Sequence, residues 1–283
     1  MNKIALGTVQ FGINYGINNS NGIPSDHEIK SILNFAKDNQ ISFLDTANAY
    51  GNVEKKLGDL DINNFKIISK FSKVNCIEDL EKQLNNTLIN LKINKIYGYM
   101  AHNADSLIEM PFLWDMLVSK KEKGIIEKIG VSLYTVEQLN NLINLKFIPD
   151  IIQIPFSIFD KKFEPLLYKL KNNLIEIHAR SVFLQGFYFM NPKYLPKKLM
   201  PLKEPLKDLI KISIKYKISI SSIALNYVLQ KSLIDKVLIG VDSLSHLKNN
   251  LEMTKLPNLS NELIKEIDNI IVADLNLLNP TNW

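Results

Sequence analysis

The chain has 283 residues, 46% hydrophobic and 22% charged, with 11 Gly, 11 Pro and a single Cys. At roughly 100–200 residues per domain this allows one large domain or two small ones, and so ordinary a composition excludes disorder, collagen-like repeats and coiled coil as whole-chain readings. The net charge of +5 arises from 34 Lys+Arg against 29 Asp+Glu, nearly all the cations being lysines scattered among Asn and Ile, which describes a solvated surface rather than a nucleic-acid-binding arm.

Ile4–Thr8 reads as a strand, followed by a loop rich in Gly and Asn that runs through Gly22. Ser25 is a candidate N-cap with Glu28 three residues on, the capping-box spacing. Ser42–Thr46 is the next strand and Val53–Leu60 a short helix. Then come Lys66–Ser69 (strand), Ile77–Leu91 (helix), Ile96–Ala101 (strand) and Leu107–Lys123 (helix). The second half keeps the rhythm, with strands at Ile129–Ser132, Asp150–Ile154, Glu176–Arg180 and Lys236–Ile239. Helices are expected at Thr135–Leu145, Lys161–Lys171, Leu206–Lys217, Ser221–Gln230, Ser243–Met253 and Asn261–Ile271, and Pro192, Pro196, Pro201 and Pro205 mark a long loop.

Strands that alternate with helices lie parallel, because a crossover helix must return the chain each time. About eight such units in this length predict an α/β fold of the closed (β/α)8 TIM-barrel type, with residues 1–283 as one domain. The competing open doubly wound sheet normally carries a GxGxxG fingerprint after an early strand, and that pattern is absent from the sequence.

In such barrels chemistry gathers where the strands end. Here the apolar runs stop at Asp45, Lys70, His102, Ser132, Gln153, Arg180 with Ser181, and Gly240. Each has a local explanation as a cap or turn residue; together they would ring one point. The segment Phe43-Leu44-Asp45-Thr46-Ala47-Asn48-Ala49-Tyr50-Gly51 sets a carboxylate at a strand end and a tyrosine five residues later, and Ile67-Ile68-Ser69-Lys70 ends the next strand on an amine. An ammonium beside a tyrosine favours tyrosinate and lowers its high pKa, while a carboxylate fixes the ammonium. His102, one strand on, is placed to hydrogen-bond a substrate oxygen. The set describes a tuned proton donor facing a carbonyl.

Leu6-Gly7-Thr8-Val9-Gln10-Phe11-Gly12, the LDTANAYG segment with Glu54 and Leu57-Gly58 after it, IISK and YMAHNAD occur in an order that resembles the aldo-keto reductase family over essentially the whole chain. The overall look is similar to bacterial members associated with surface-carbohydrate metabolism. The resemblance implies NAD(P)H-dependent reduction of a small or sugar-derived aldehyde or ketone. It makes Tyr50 the general acid, Lys70 its partner, Asp45 the partner of Lys70, and His102 the group that orients the carbonyl.

For the cofactor, the resemblance implies nicotinamide contacts from Ser132 and Gln153. Leu133 stands where the family has an asparagine, and Arg180 where many members have an aromatic stacked on the nicotinamide. Ser181 opens the loop beside the pyrophosphate, Gly240 the phosphate-binding turn, and Asn250 meets adenine. Members that prefer NADP commonly carry a basic residue after this glycine; here Asp242 occupies that neighbourhood and Lys248 is the substitute. The cofactor expected is NADP, with NAD the alternative. No metal site is expected. Phe187, Tyr188, Phe189 and Tyr194, in the loop Phe187–Pro205, would either wall the substrate pocket or seal the barrel, and the tail Leu277–Trp283 is short.

Two other functions stay open on sequence: a Schiff-base lyase or isomerase using Lys70, and a non-catalytic dinucleotide-binding sensor or partner subunit. The partner expected is a small carbonyl compound, with neither nucleic acid nor membrane. Cys76 has no mate for a disulfide, the N-terminus lacks a long apolar core, and apolar runs fall short of the roughly 20 residues that span a bilayer, so the expected location is cytoplasmic.

Overall fold

Each apolar run becomes one strand of a single closed sheet. In the computed structural model, which describes residues 2–17, 19 and 22–283, the strands are β1 (Ile4–Gly7), β2 (Phe43–Asp45), β3 (Lys66–Phe71), β4 (Ile96–Ala101), β5 (Ile126–Ser132), β6 (Ile151–Pro155), β7 (Glu176–Arg180) and β8 (Lys236–Gly240). They pair in parallel and in chain order, and β8 closes on β1 with Gly7 opposite Gly240. This is a (β/α)8 barrel of one domain. Part of the loop expected through Gly22, at positions 18, 20 and 21, lies outside the described residues.

Side chains alternate across a strand, so residues two apart share a face. Ala5, Phe43, Ile68, Met100, Ile151 and Leu238 pack together as an apolar plug inside the barrel. Two residues further along these strands stand Gly7, Asp45, Lys70, His102, Gln153 and Gly240. The polar layer therefore sits directly above the plug, and strand periodicity alone puts it there. Gly130 belongs to this interior because a Cβ would come within 2.6 Å of Met100 Cγ.

The helices α1 (Asp26–Asp38), α2 (Val53–Gly58), α3 (Ile77–Leu91), α4 (Asp105–Glu109), α5 (Phe112–Glu122), α6 (Val136–Asn144), α7 (Leu167–Asn172), α8 (Lys203–Tyr216), α9 (Ile220–Leu229), α10 (Leu244–Thr254) and α11 (Asn261–Asp268) follow the strands. Two departures from expectation trace to proline. The single helix expected over Leu107–Lys123 is divided at Met110-Pro111, because a residue before proline is pushed out of the helical region, and Met110 has φ −130° and ψ 74°. The helix expected from Lys161 begins at Leu167, after a 3₁₀ turn at Glu164–Leu166 that contains Pro165. The proline-rich loop folds into short 3₁₀ turns at Leu184–Phe189, Pro192–Tyr194 and Lys197–Leu202.

Ser25 caps α1 as expected, accepting from Glu28 N. The Glu28 carboxylate does not return to Ser25; it accepts from Leu244 N at 2.6 Å, at the start of α10. The complete capping box is at Thr135 and Gln138. Among the described residues no helix is long and apolar enough to cross a membrane.

At the N-terminal end of the barrel Glu176 is ion-paired with Lys128, hydrogen-bonded by Tyr97 Oη at 2.6 Å and by His178 Nε2 at 2.6 Å. Burial pushes the Glu176 carboxyl up, but the bonds from His178, Lys128 and Tyr97 outweigh it and hold the group below the ordinary carboxylate range. Its contribution is thus fully present above the unfolded value of 4.5 and is lost as pH falls through the lowered folded value. Glu176→Gln is expected to cost about 2 kcal/mol, because Lys128 loses its partner in a partly buried setting. Thermal unfolding at neutral pH checks this; an unchanged Tm would show the cluster to be neutral, and the gap between variant and parent should close in acid.

Candidate active site

Asp45 ends β2 and Lys70 lies in β3, and both are buried, at 3% and 0% exposure. Lys70 Nζ is ion-paired with Asp45 Oδ1 and donates to Thr46 O at 3.2 Å. The other carboxylate oxygen, Oδ2, accepts from Gln153 Nε2 at 2.7 Å. Both oxygens of Asp45 are engaged, and three strands are tied together beneath the mouth. A buried charge is tolerated when paired and hydrogen-bonded in this way.

Tyr50 sits in the turn between β2 and α2. Asn48 N bonds to Lys70 O and Tyr50 N to Ala47 O, each at 3.0 Å, and Gly51 at φ +67° lets the chain reverse into the helix. The Tyr50 ring lies with its centroid 5.5 Å from Lys70 Nζ and meets the His102 ring edge-to-face at 5.6 Å and 82°. His102 is the first residue beyond β4, and its backbone N–H is held by Phe71 O. Burial pushes the Tyr50 hydroxyl well above its ordinary value, Asp45 adds to this, and Arg180 opposes it. The expected lowering by Lys70 is therefore not the net effect in this chain; the ammonium is engaged with Asp45, and the phenol keeps its proton. Burial, then the nearby Lys70 charge, brings His102 down to about 4, so its imidazole is neutral at physiological pH.

A cavity of about 570 Å³ runs from Asp45, Tyr50 and Gln153 past Arg180, Ser181 and Gly240 to Asn250 and Met253. Lys70, His102 and Ser132 are not part of that lining; Ser132 is buried at the end of β5, in register with Gln153. With Nε2 spent on Asp45, Gln153 has Oε1 to offer a ligand. Arg180 lies over the Tyr134 ring at 4.4 Å and donates to Leu133 O at 3.1 Å and Ser181 Oγ at 3.2 Å. The loop after it turns through left-handed Ser181, Leu184, Gln185 and Gly186, a conformation that costs energy at the non-glycine positions and commonly marks a binding loop.

At the outer end the Gln10 amide packs against Gly240, where a Cβ would collide with it, and Gln10 Oε1 is buried without a hydrogen-bond partner. Asp242 Oδ1 is 2.6 Å from His246 Nδ1. The first N–H groups of α10 are met by Glu28 and by Ser243 Oγ. Lys248 is turned to the Phe35 ring, 5.5 Å from its centroid.

Of the four aromatics expected to wall or seal, Phe187 and Tyr188 are buried against Phe159, with Phe187 also against Trp283. They seal. Phe189 is half exposed and lines the cavity, while Tyr194 is exposed. Residues that strand-end reasoning missed are Tyr15 and Gln10, which line the cavity from the first loop, with Tyr134, Glu28 and His246.

Residues 3–272 match the model of the aldo/keto reductase family. The Bacillus subtilis (strain 168) protein named "Uncharacterized oxidoreductase YqkF" is 22% identical over 272 residues, covering 87% of this chain and 88% of its own length. Among solved structures, the holo form of aldo-keto reductase AKR11C1 from Bacillus halodurans superposes with a TM-score of 0.78 at 17% identity, over 96% of this chain and 93% of that one. The thermostable aldo-keto reductase Tm1743, solved with the inhibitor epalrestat, superposes with a TM-score of 0.71 at 23% identity, over 96% of both chains.

Proposed function

The chain belongs to the aldo/keto reductase family, an oxidoreductase family, and from that premise we propose that residues 1–283 act as one catalytic unit reducing an aldehyde or ketone to an alcohol with a reduced nicotinamide dinucleotide. The observation that carries the reading is the Asp45–Lys70–Gln153 network set beneath the Tyr50–His102 pair at the inner end of a long groove.

The groove suits a dinucleotide on two counts: its lining extends from Asp45 and Tyr50 by the strand ends to Asn250 and Met253 in α10, and Gln10 Oε1 is a buried acceptor waiting for a donor such as a ribose hydroxyl. Ser132 and Gln153 would hold the nicotinamide end, Ser181 the middle, and Gly240 and Asn250 the adenosine end. A reduced dinucleotide held there would supply the hydride for the carbonyl carbon. Tyr50 donates its hydroxyl proton to the carbonyl oxygen and regains one from solvent. Its raised pKa keeps the proton in place until the oxygen becomes strongly basic. His102, neutral, fixes the carbonyl by a hydrogen bond without adding charge. Lys70 and Asp45 hold the Tyr50 turn and set the local field. A Schiff-base role for Lys70 is disfavoured, because the amine is buried, ion-paired and bonded to Thr46 O.

On the dinucleotide's form, NADP is the default that the family resemblance implies, but Lys248, the basic residue offered as a substitute after Gly240, is turned to Phe35. Two carboxylates, Asp242 and Glu28, stand at the start of α10, and a 2′-phosphate brought there meets like charge. NADH is the preferred form in this reading. In a fluorescence titration NADH is expected to bind about tenfold or more tightly than NADPH, and Asp242→Asn to narrow the gap. Equal or tighter binding of NADPH would contradict the preference; no binding of either would contradict the reductase reading itself.

A further inference from the structure

The chain has 34 basic residues, and Arg180 is its one arginine; the other 33 are lysines. Where a point charge suffices, this protein uses lysine. A guanidinium differs in being planar, forked and suited to two parallel bonds with a carboxylate or phosphate. Its occurrence once, at the end of β7 and on the cavity wall shared with Tyr50, marks a position where that geometry is used.

Arg180 is held firmly. Its plane lies over Tyr134, Nη2 donates to Leu133 O and Nη1 to Ser181 Oγ. Those bonds use two of its five N–H donors, and neither goes to a carboxylate. The carboxylates near it are already engaged. Asp45 is bound on both oxygens by Lys70 and Gln153, Asp160 is paired with Lys162, and at the outer end Asp242 lies 2.6 Å from His246 Nδ1. No ion pair reaches Arg180 among the described residues. A fixed guanidinium with donors to spare thus faces a pocket lined also by Tyr15 and Tyr50. Its charge reaches both phenols, opposing the upward shift of each.

We propose that Arg180 anchors an anionic group of the substrate, so that the carbonyl compound this protein reduces carries a carboxylate, or a phosphate in its place. The inference rests on the reductase reading of the same site. The fork takes both oxygens of the anion, Tyr134 keeps the fork from turning, and the substrate's carbonyl is left to meet Tyr50 and His102. The dinucleotide's own pyrophosphate is the other anion that could claim this arginine, and the test separates the two.

The test compares 4-formylbenzoate with 4-formylbenzamide, and 3-formylbenzoate with 3-formylbenzamide, pairs alike in size whose aldehydes cannot cyclise onto the acid or amide. The parent protein is expected to favour each acid by about 10- to 100-fold in kcat/KM, carried by KM. In Arg180→Gln the ratio is expected to collapse towards one, and Arg180→Lys to restore part of it. Equilibrium binding of benzoate against benzamide to the NAD⁺-loaded protein should show the same preference without turnover. Equal handling of acid and amide by the parent overturns the inference and leaves the reductase reading standing. If Arg180→Gln keeps the acid preference but loses affinity for NADH and ADP-ribose, the arginine serves the cofactor and the inference is overturned. If NADH does not bind and no aldehyde is reduced, the reductase reading fails and takes this one with it.

Discussion

Tyr50→Phe is expected to lower kcat for carbonyl reduction by about 10³-fold while leaving affinity for the reduced dinucleotide within about twofold. The change removes one oxygen and keeps the ring that packs against His102 and lies near Lys70. The lost term is therefore proton delivery in the transition state. Neither the Asp45–Lys70 pair nor the groove from Arg180 to Asn250 depends on that hydroxyl in any hydrogen bond of the site. Steady-state kinetics with a dinucleotide titration checks both halves. Retained turnover would remove Tyr50 from the role of acid, and lost affinity would mean that the hydroxyl helps hold the cofactor.

Lys70→Met is the second large effect, and it combines stability with activity. The substitution leaves the buried Asp45 carboxylate with Gln153 and no cation. Removing one member of a buried pair costs about 3–5 kcal/mol, which for a chain of this size lowers Tm by on the order of 10 °C. Turnover should fall at least about 100-fold, because the Nζ bond to Thr46 O at the head of the Tyr50 turn is lost and the balanced pair beneath the site becomes a bare carboxylate. The double variant Asp45→Asn, Lys70→Met separates the two roles. It removes both charges, so it should recover much of the stability and none of the activity. Recovery of activity with stability would make the pair purely structural.

The barrel and most of its mouth were legible because they depend on short-range periodicity. Phe43 and Asp45, Ile68 and Lys70, Met100 and His102, Ile151 and Gln153 are each two residues apart on a strand, so the end of every apolar run names a neighbour of the central cavity. What local spacing could not show were contacts made across the chain. Glu28 has the spacing of a capping box but spends its carboxylate on Leu244 N, 216 residues away. Lys248 looked available for a phosphate, but α1 brings Phe35 to it. A neighbouring ammonium pointed to a lowered Tyr50 pKa, whereas burial and Asp45, both products of packing, carry it upward. Phe187 and Tyr188 are ambiguous on spacing alone, because the residues that cover them, Trp283 and Phe159, are distant in the chain. The singularity of Arg180 is a different case: a count of one arginine among 34 basic residues was in the sequence throughout, and only its place on the cavity wall gives it meaning.

The most direct measurement of the central claim is hydride tracing with NADH that carries deuterium at both C4 positions, an aldehyde such as 4-formylbenzoate, and the purified protein. The expected product is the alcohol with one deuterium on the former carbonyl carbon, formed in step with NADH oxidation and abolished by Tyr50→Phe. An alcohol without deuterium, or tight NADH binding with no alcohol from any acid or amide aldehyde, would contradict the assignment of this barrel mouth as a carbonyl reductase site.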